Sequence, residues 1–134
     1  METSVIDMHT TGSDLSVYVS FWDKEIEDYR KGLLTFDTGA SVTTVSKDAL
    51  YDLGYNVVEG KIRKITTASN VEYVREVFIE KFCIGEYELE NVLVYAHDFP
   101  EESFTTGVLG LNVLSQFDIN MLFSKRQIVL TKIT

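Results

Sequence analysis

A mostly β domain with one or two short helices is the fold class this sequence predicts, and three observations predict it. Runs rich in β-branched and aromatic residues recur at Leu15–Phe21, Leu33–Phe36, Ile62–Thr67, Val71–Ile79, Tyr87–Tyr95 and Gln127–Ile133, with turn-forming residues between them. Only the stretches after Ser46 and after Gly110 have the residue types of short helices. The 134 residues, 45% of them hydrophobic, suffice for one core and so for a single domain over 1–134.

In chain order, residues 1–13 are expected to form a flexible N-terminal segment. Leu15–Phe21 alternates partly and reads as a strand; a polar stretch from Asp23 to Gly32, long for a hairpin loop, separates it from the strand Leu33–Phe36. Val42–Val45 is a short β-branched run. Ser46 can then cap a helix from Lys47 to about Leu53, closed by Gly54, with Asp48 favourably placed in its first turn. Ile62–Thr67 and Val71–Ile79 flank a polar tip at Ala68-Ser69-Asn70, where Asn70 can adopt the left-handed conformation. A shorter strand lies near Lys81–Ile84, and Gly85-Glu86 turns the chain into Tyr87–Tyr95. After the loop His97–Glu102 comes Gly107–Asn112, with a short helix expected over Val113–Phe117. The chain ends in a hairpin, Ile119–Leu122 and Gln127–Ile133, around Ser124–Arg126.

Composition excludes several function classes. With 21 acids against 12 bases the formal charge is −9, and the bases cluster only at Lys61–Lys64 and Lys125-Arg126, so no nucleic-acid partner is expected. No apolar run approaches the roughly 20 residues that span a bilayer, and Met1–Asp7 lacks the basic and apolar regions of a signal peptide; no membrane partner and a cytoplasmic location are the expectation. The single Cys83 reads as a core thiol in a reducing compartment. His9 and His97 lie far apart in polar stretches and read as solvated loop residues. Glu86, Glu88 and Glu90 alternate along one strand, which makes a solvated face rather than a metal site. No metal and no cofactor are expected.

The chemistry is concentrated in Phe36-Asp37-Thr38-Gly39-Ala40-Ser41, an aspartate in a turn after the apolar run Leu33–Phe36. A carboxylate held on such a turn can be presented in a cleft with fixed geometry, which general acid/base chemistry needs. Gly39 lets the backbone reverse with positive φ, and the Thr38 hydroxyl can brace the turn. Alone, the tetrapeptide should arise by chance in roughly a few per thousand chains of this length, and its default reading is a plain Asx turn. Context decides between them.

That context resembles the retropepsin-like aspartic proteases, single-lobed relatives of the retroviral proteases. Three features align in order from about residue 14 to 133: Asp37–Ser41 with the following β run and helix, a hairpin between Ile62 and Ile79, and Val108-Leu109-Gly110 followed by a short helix. The resemblance implies an acid-protease fold, closed and β-barrel-like, forming a homodimer. It implies Asp37 as the catalytic residue, Thr38, Gly39, Ala40 and Ser41 as support of the active-site loop, Thr67, Ala68, Ser69 and Asn70 as a flap that contacts substrate, and Val108, Leu109 and Gly110 as a structural motif without chemistry. The activity it implies is hydrolysis of peptide bonds by a water held between two carboxylates.

Two carboxylates about 3 Å apart share one proton because both cannot ionise. Neither Asp98-Phe99-Pro100 nor Asp118-Ile119-Asn120 carries the Ser/Thr-Gly that would form a second such turn, so the second Asp37 is expected from another copy of the chain at a two-fold axis. Two departures stand out. The hairpin tip has no glycine, and Leu111 precedes Asn112 where the retroviral enzymes have an arginine that braces the dimer. The C-terminal run Gln127–Ile133 is the expected substitute, an uncovered edge strand open to another chain. The alternative to a peptidase is a peptide-binding or dimerisation module that keeps this fold without turnover.

Overall fold

In the computed structural model, residues 2–66, 68–100 and 103–134 are described. The elements in order are β1 (Thr3–Asp7), β2 (His9–Thr11), β3 (Asp14–Asp23), β4 (Asp28–Phe36), β5 (Thr44–Ser46), α1 (Lys47–Asp52), β6 (Ile62–Thr66), β7 (Val71–Ile84), β8 (Tyr87–His97), β9 (Gly107–Leu109), α2 (Leu111–Leu114), β10 (Phe117–Leu122) and β11 (Gln127–Lys132), with 3-10 turns at Val57–Glu59 and Phe123–Lys125. The fold is mostly β with two short helices, as the sequence predicts.

Eight strands form one sheet in the order β2-β3-β4-β9-β5-β8-β7-β6. A further pairing of β3 with β7, Ser20 opposite Cys83 and Phe21 opposite Phe82, joins the sheet to itself. The six strands from β3 round to β7 therefore close into a barrel, which removes their free edges. Alternation puts Val17, Val19, Phe21, Leu34, Val45, Ile79, Phe82, Val94 and Leu109 inside, none more than 3% exposed. Burying each such side chain stabilises the fold by about 1.5–3 kcal/mol. Phe21 and Phe82 meet edge to face, their centroids 5.4 Å apart, across the closing pair.

Around α1 the local signals work as read. The Ser46 hydroxyl accepts from the Ala49 N–H at 3.4 Å, Asp48 sits in the first turn, and Gly54 leaves the helix with φ 88°. Elsewhere the structure corrects the sequence. Residues 1–13, expected to be flexible, hold β1 and β2; β1 pairs along its length with β11, Val5 opposite Val129. β11 is thus the centre of a three-stranded sheet, β1-β11-β10, and not an uncovered edge: both its sides are already hydrogen-bonded. The polar stretch after Asp23 is no long loop either, because β3 runs to Asp23 and β4 begins at Asp28. Buried Asp23 organises that turn, its carboxylate accepting from the Glu25 and Ile26 N–H groups and from Arg30. β7 is one 14-residue strand where two were read. The second helix begins at Leu111, two residues earlier than expected, directly after Gly110.

Candidate active site

β4 delivers Asp37. It runs parallel to β9, with Leu34 opposite Gly107, Thr35 opposite Val108 and Phe36 opposite Leu109. The Asp37 N–H extends the pairing by donating to the Leu109 carbonyl at 3.1 Å. The chain then turns on its own carboxylate: Asp37 Oδ1 accepts from the Gly39 N–H at 2.8 Å, and the Asp37 carbonyl accepts from the Ala40 N–H at 3.3 Å. The Asx turn is therefore real, and it fixes the carboxylate through one oxygen. Among the described residues no protein group bonds the other oxygen, Oδ2. Asp37, Thr38, Gly39 and Ser41 lie on the surface of the subunit.

Gly39 is constrained in a different way than expected. Its φ is not positive; a Cβ there would stand 3.1 Å from Asp37 Oδ1, tight against the carboxylate whose hydrogen bond shapes the turn. The Gly110 of Val108-Leu109-Gly110 answers to closeness too. A Cβ on it would lie 2.7 Å from the Val42 carbonyl carbon and 2.9 Å from the Ala40 oxygen, so only glycine lets the two loops cross.

Two backbone bonds and one to a side chain tie the crossing: Leu111 N–H to Ala40 O at 2.8 Å, Asn112 N–H to Ser41 O at 3.1 Å, and Gly110 N–H to the Thr43 hydroxyl at 3.0 Å. Thr43 is fully buried. Its N–H and hydroxyl both donate to Asn112 Oδ1, at 2.8 and 2.9 Å, and the Asn112 amide donates to the Leu93 carbonyl at 2.7 Å. Those partners fix the amide orientation, since a backbone N–H requires the oxygen and a carbonyl requires the nitrogen. Asn112 thus links the Asp37 loop, α2 and β8. Sequence reasoning did not assign this role to Thr43 or Asn112; the signal lay in two short polar residues beside the motifs, but only the fold brings positions 43 and 112 together.

The expected flap residues stand apart from this cluster. Ala68, Ser69 and Asn70 are exposed at the end of the β6–β7 hairpin, and Thr67 lies outside the described residues. Asn70 is not left-handed; its side-chain oxygen accepts from the Val71 N–H at 2.8 Å and shapes the tip that way. No described strand pairing or hydrogen bond joins this tip to the Asp37 loop. His97, read as a solvated loop residue, instead ends β8 with Nε2 2.8 Å from Glu72 Oε2. His9 belongs to β2, its ring against Tyr18. Cys83 is a half-buried thiol, not a core one, in the wall of a surface cavity of about 260 Å³. Two further cavities, of about 180 and 280 Å³, likewise have no part of the Asp37 turn in their walls.

The arrangement offers a fixed carboxylate, half engaged in its own turn and half open, on a loop held from below. Residues 24–113, more than half of the chain and including both Asp37 and Gly110, match the family model described as aspartyl protease. The chain belongs to the aspartyl protease family. Among solved structures it is similar to a retropepsin-like aspartic protease from Rickettsia conorii, at 19% identity and TM-score 0.67, with 96% of this chain and 89% of that one covered. At that identity the likeness shows the fold, which is retropepsin-like. No curated protein matches the chain.

Proposed function

We propose that this aspartyl protease family member is an endopeptidase that works as a homodimer, with Asp37 of each copy forming the catalytic pair. The observation that carries the reading is the lone, exposed Asp37 turn. Of the two other aspartates weighed as partners, Asp98 faces Lys47 at 3.6 Å and Asp118 is an exposed residue of β10, and neither has a described hydrogen bond to the Asp37 loop. Among the described residues, none of the three cavities above takes in the Asp37 turn, which fits a site completed by a second copy. Leu111, 40% exposed and bonded through its N–H to the Asp37 loop, offers an apolar contact beside the axis where the retroviral enzymes have arginine.

In the dimer one Asp37 is ionised and takes a proton from a bound water, which attacks the peptide carbonyl carbon. The protonated twin hydrogen-bonds the carbonyl oxygen and stabilises the tetrahedral intermediate; proton return to the amide nitrogen releases the two products. Thr38 to Ser41 shape the loop, Ala68 to Asn70 with Thr67 cover an extended peptide, and no metal or cofactor takes part. A half-buried free thiol suits a cytoplasmic setting.

The test compares wild type and Asp37→Asn on a peptide library between about pH 4 and 7. Wild type is expected to cleave and the variant to show no turnover, with both sedimenting as dimers at tens of micromolar. Undiminished cleavage by the variant sinks the assignment. A second reading, a binding module without turnover, is favoured by the glycine-free tip; peptide binding without cleavage by wild type selects it.

A further inference from the structure

Beyond the strand register that ties β7 to β8, which begins at Arg75 opposite Ala96, the hairpin projects. Val71 to Val74 pair only with β6. His97, the last residue of β8, reaches up to this projecting part. Its Nε2 stands 2.8 Å from Glu72 Oε2, and its Nδ1 stands 2.6 Å from the Asp98 carbonyl oxygen.

The chemistry of those two neighbours is restrictive. A carbonyl oxygen can only accept, so Nδ1 must carry a proton. With that proton placed, a neutral imidazole would turn the lone pair of Nε2 toward a carboxylate, which also only accepts. Both contacts are satisfied when the ring is doubly protonated, or when Glu72 itself holds the proton. We propose that His97 is a proton-controlled latch that fastens the projecting end of the hairpin to the end of β8.

Among the described residues, the charged groups around the ring are few. β7 contributes Glu72. The segment after β8 contributes Asp98, whose carboxylate is turned to Lys47 of α1 at 3.6 Å. β5, which pairs with the end of β8, contributes none, since it reads Thr44-Val45-Ser46. The Phe99 ring lies 5.6 Å away, edge to face, and shields one side. The imidazole and the Glu72 side chain are 30% and 38% exposed, so protons can exchange while water screens the pair only in part. Histidine is the side chain whose charge changes over about pH 5 to 8. When the Nε2 contact loses its proton, the hairpin loses its hold.

This goes beyond the proposed activity, and its readout needs no turnover. Backbone 15N relaxation and relaxation dispersion of the Val71–Val74 amides, at about pH 5.5 and 8, read the order of the projecting strand, while imidazole 15N shifts read which nitrogens are protonated. Wild type is expected to be ordered at the lower pH and to lose that order at the higher. In Glu72→Gln the side-chain amide can donate to a neutral Nε2 or accept from a protonated one, so the hairpin should stay ordered at both. In His97→Ala it should be loose at both. A wild-type hairpin that does not change with pH, a response that survives in His97→Ala, or a Glu72→Gln hairpin that loosens at either pH overturns the proposal.

Discussion

Around Asp37 the backbone of residues 37–43 finds partners from β9 and α2, whereas from Ile62 to Val74 the hairpin strands pair only with each other. The first region is over-determined: a crossing that admits only glycine at position 110, two backbone bonds across it, and a buried threonine that accepts from Gly110 and engages Asn112 twice. The second is exposed on most of its residues, including Ile62, Val71 and Tyr73. Regions with few buried contacts open at low free energy without unfolding the rest. The activity proposed above, in which a carboxylate is held still while a long substrate is admitted, calls for both kinds of structure in one chain.

Asn112→Ala should break this contrast most. It removes three side-chain hydrogen bonds, and it leaves the buried Thr43 N–H and the Leu93 carbonyl without partners. At about 1 kcal/mol per bond the loss is roughly 3 kcal/mol, or a fall of roughly 10 °C in Tm by calorimetry. Asn112→Asp keeps the acceptor for Thr43 but sets an oxygen against the Leu93 carbonyl, so its loss should be comparable and not milder. A change of less than about 1 kcal/mol in Asn112→Ala would show that the loop is held by its glycine crossing alone.

At the hairpin tip the expectation is reversed. Ala68→Gly lies on an exposed turn, so it should change stability by less than about 1 kcal/mol. Peptide turnover, if the tip covers substrate, should shift by more than that small change explains. Equal small effects on both would mean that the tip takes no part in binding.

What the sequence made legible follows the same division. Asp37 stands out because its constraint is local, a carboxylate on a turn; Gly110 is legible only as part of the motif Val108-Leu109-Gly110, since the backbone it must clear, at Ala40 and Val42, is far off in the sequence. The barrel strands are legible because alternation is set by the two faces of each strand. The bonds between Thr43 and Asn112 are not, since 69 residues separate them and neither type is unusual. β1 is also hidden. Val5 is 54% exposed while Ser4 is buried, so the run lacks an apolar alternation, and its partner lies at the far end of the chain. That hidden pairing is what overturns β11 as an interface edge. At Gly39 the motif suggests conformational freedom, whereas the fold shows a non-positive φ and a close approach to the Asp37 carboxylate.

Within β7 itself the contrast can be sharpened at Tyr55, which fastens the barrel end of the strand whose other end projects. The Tyr55 hydroxyl donates to the Trp22 carbonyl at 2.8 Å and accepts from the Glu80 N–H at 3.2 Å. Burial raises its pKa above the ordinary 10.0; the charges of Glu80 and Asp23 add to this, and the Glu80 N–H bond opposes it. A group whose folded pKa is raised stabilises fully below its unfolded value and loses that contribution as pH climbs through the folded one. Tyr55→Phe should therefore cost about 2 kcal/mol at pH 8, from the lost bonds to the Trp22 carbonyl and the Glu80 N–H. The gap between wild type and variant in urea midpoint should narrow above about pH 10, since ionised tyrosine can no longer donate. The other tyrosines, among them Tyr29, whose bond to Glu88 holds its pKa well above the ordinary value, are common to both proteins and cancel in the difference. No gap at pH 8 would mean that Tyr55 holds the barrel by its ring alone, which phenylalanine keeps, and a gap that stays constant to beyond about pH 10.5 would mean that its hydroxyl bonds do not set the pH dependence.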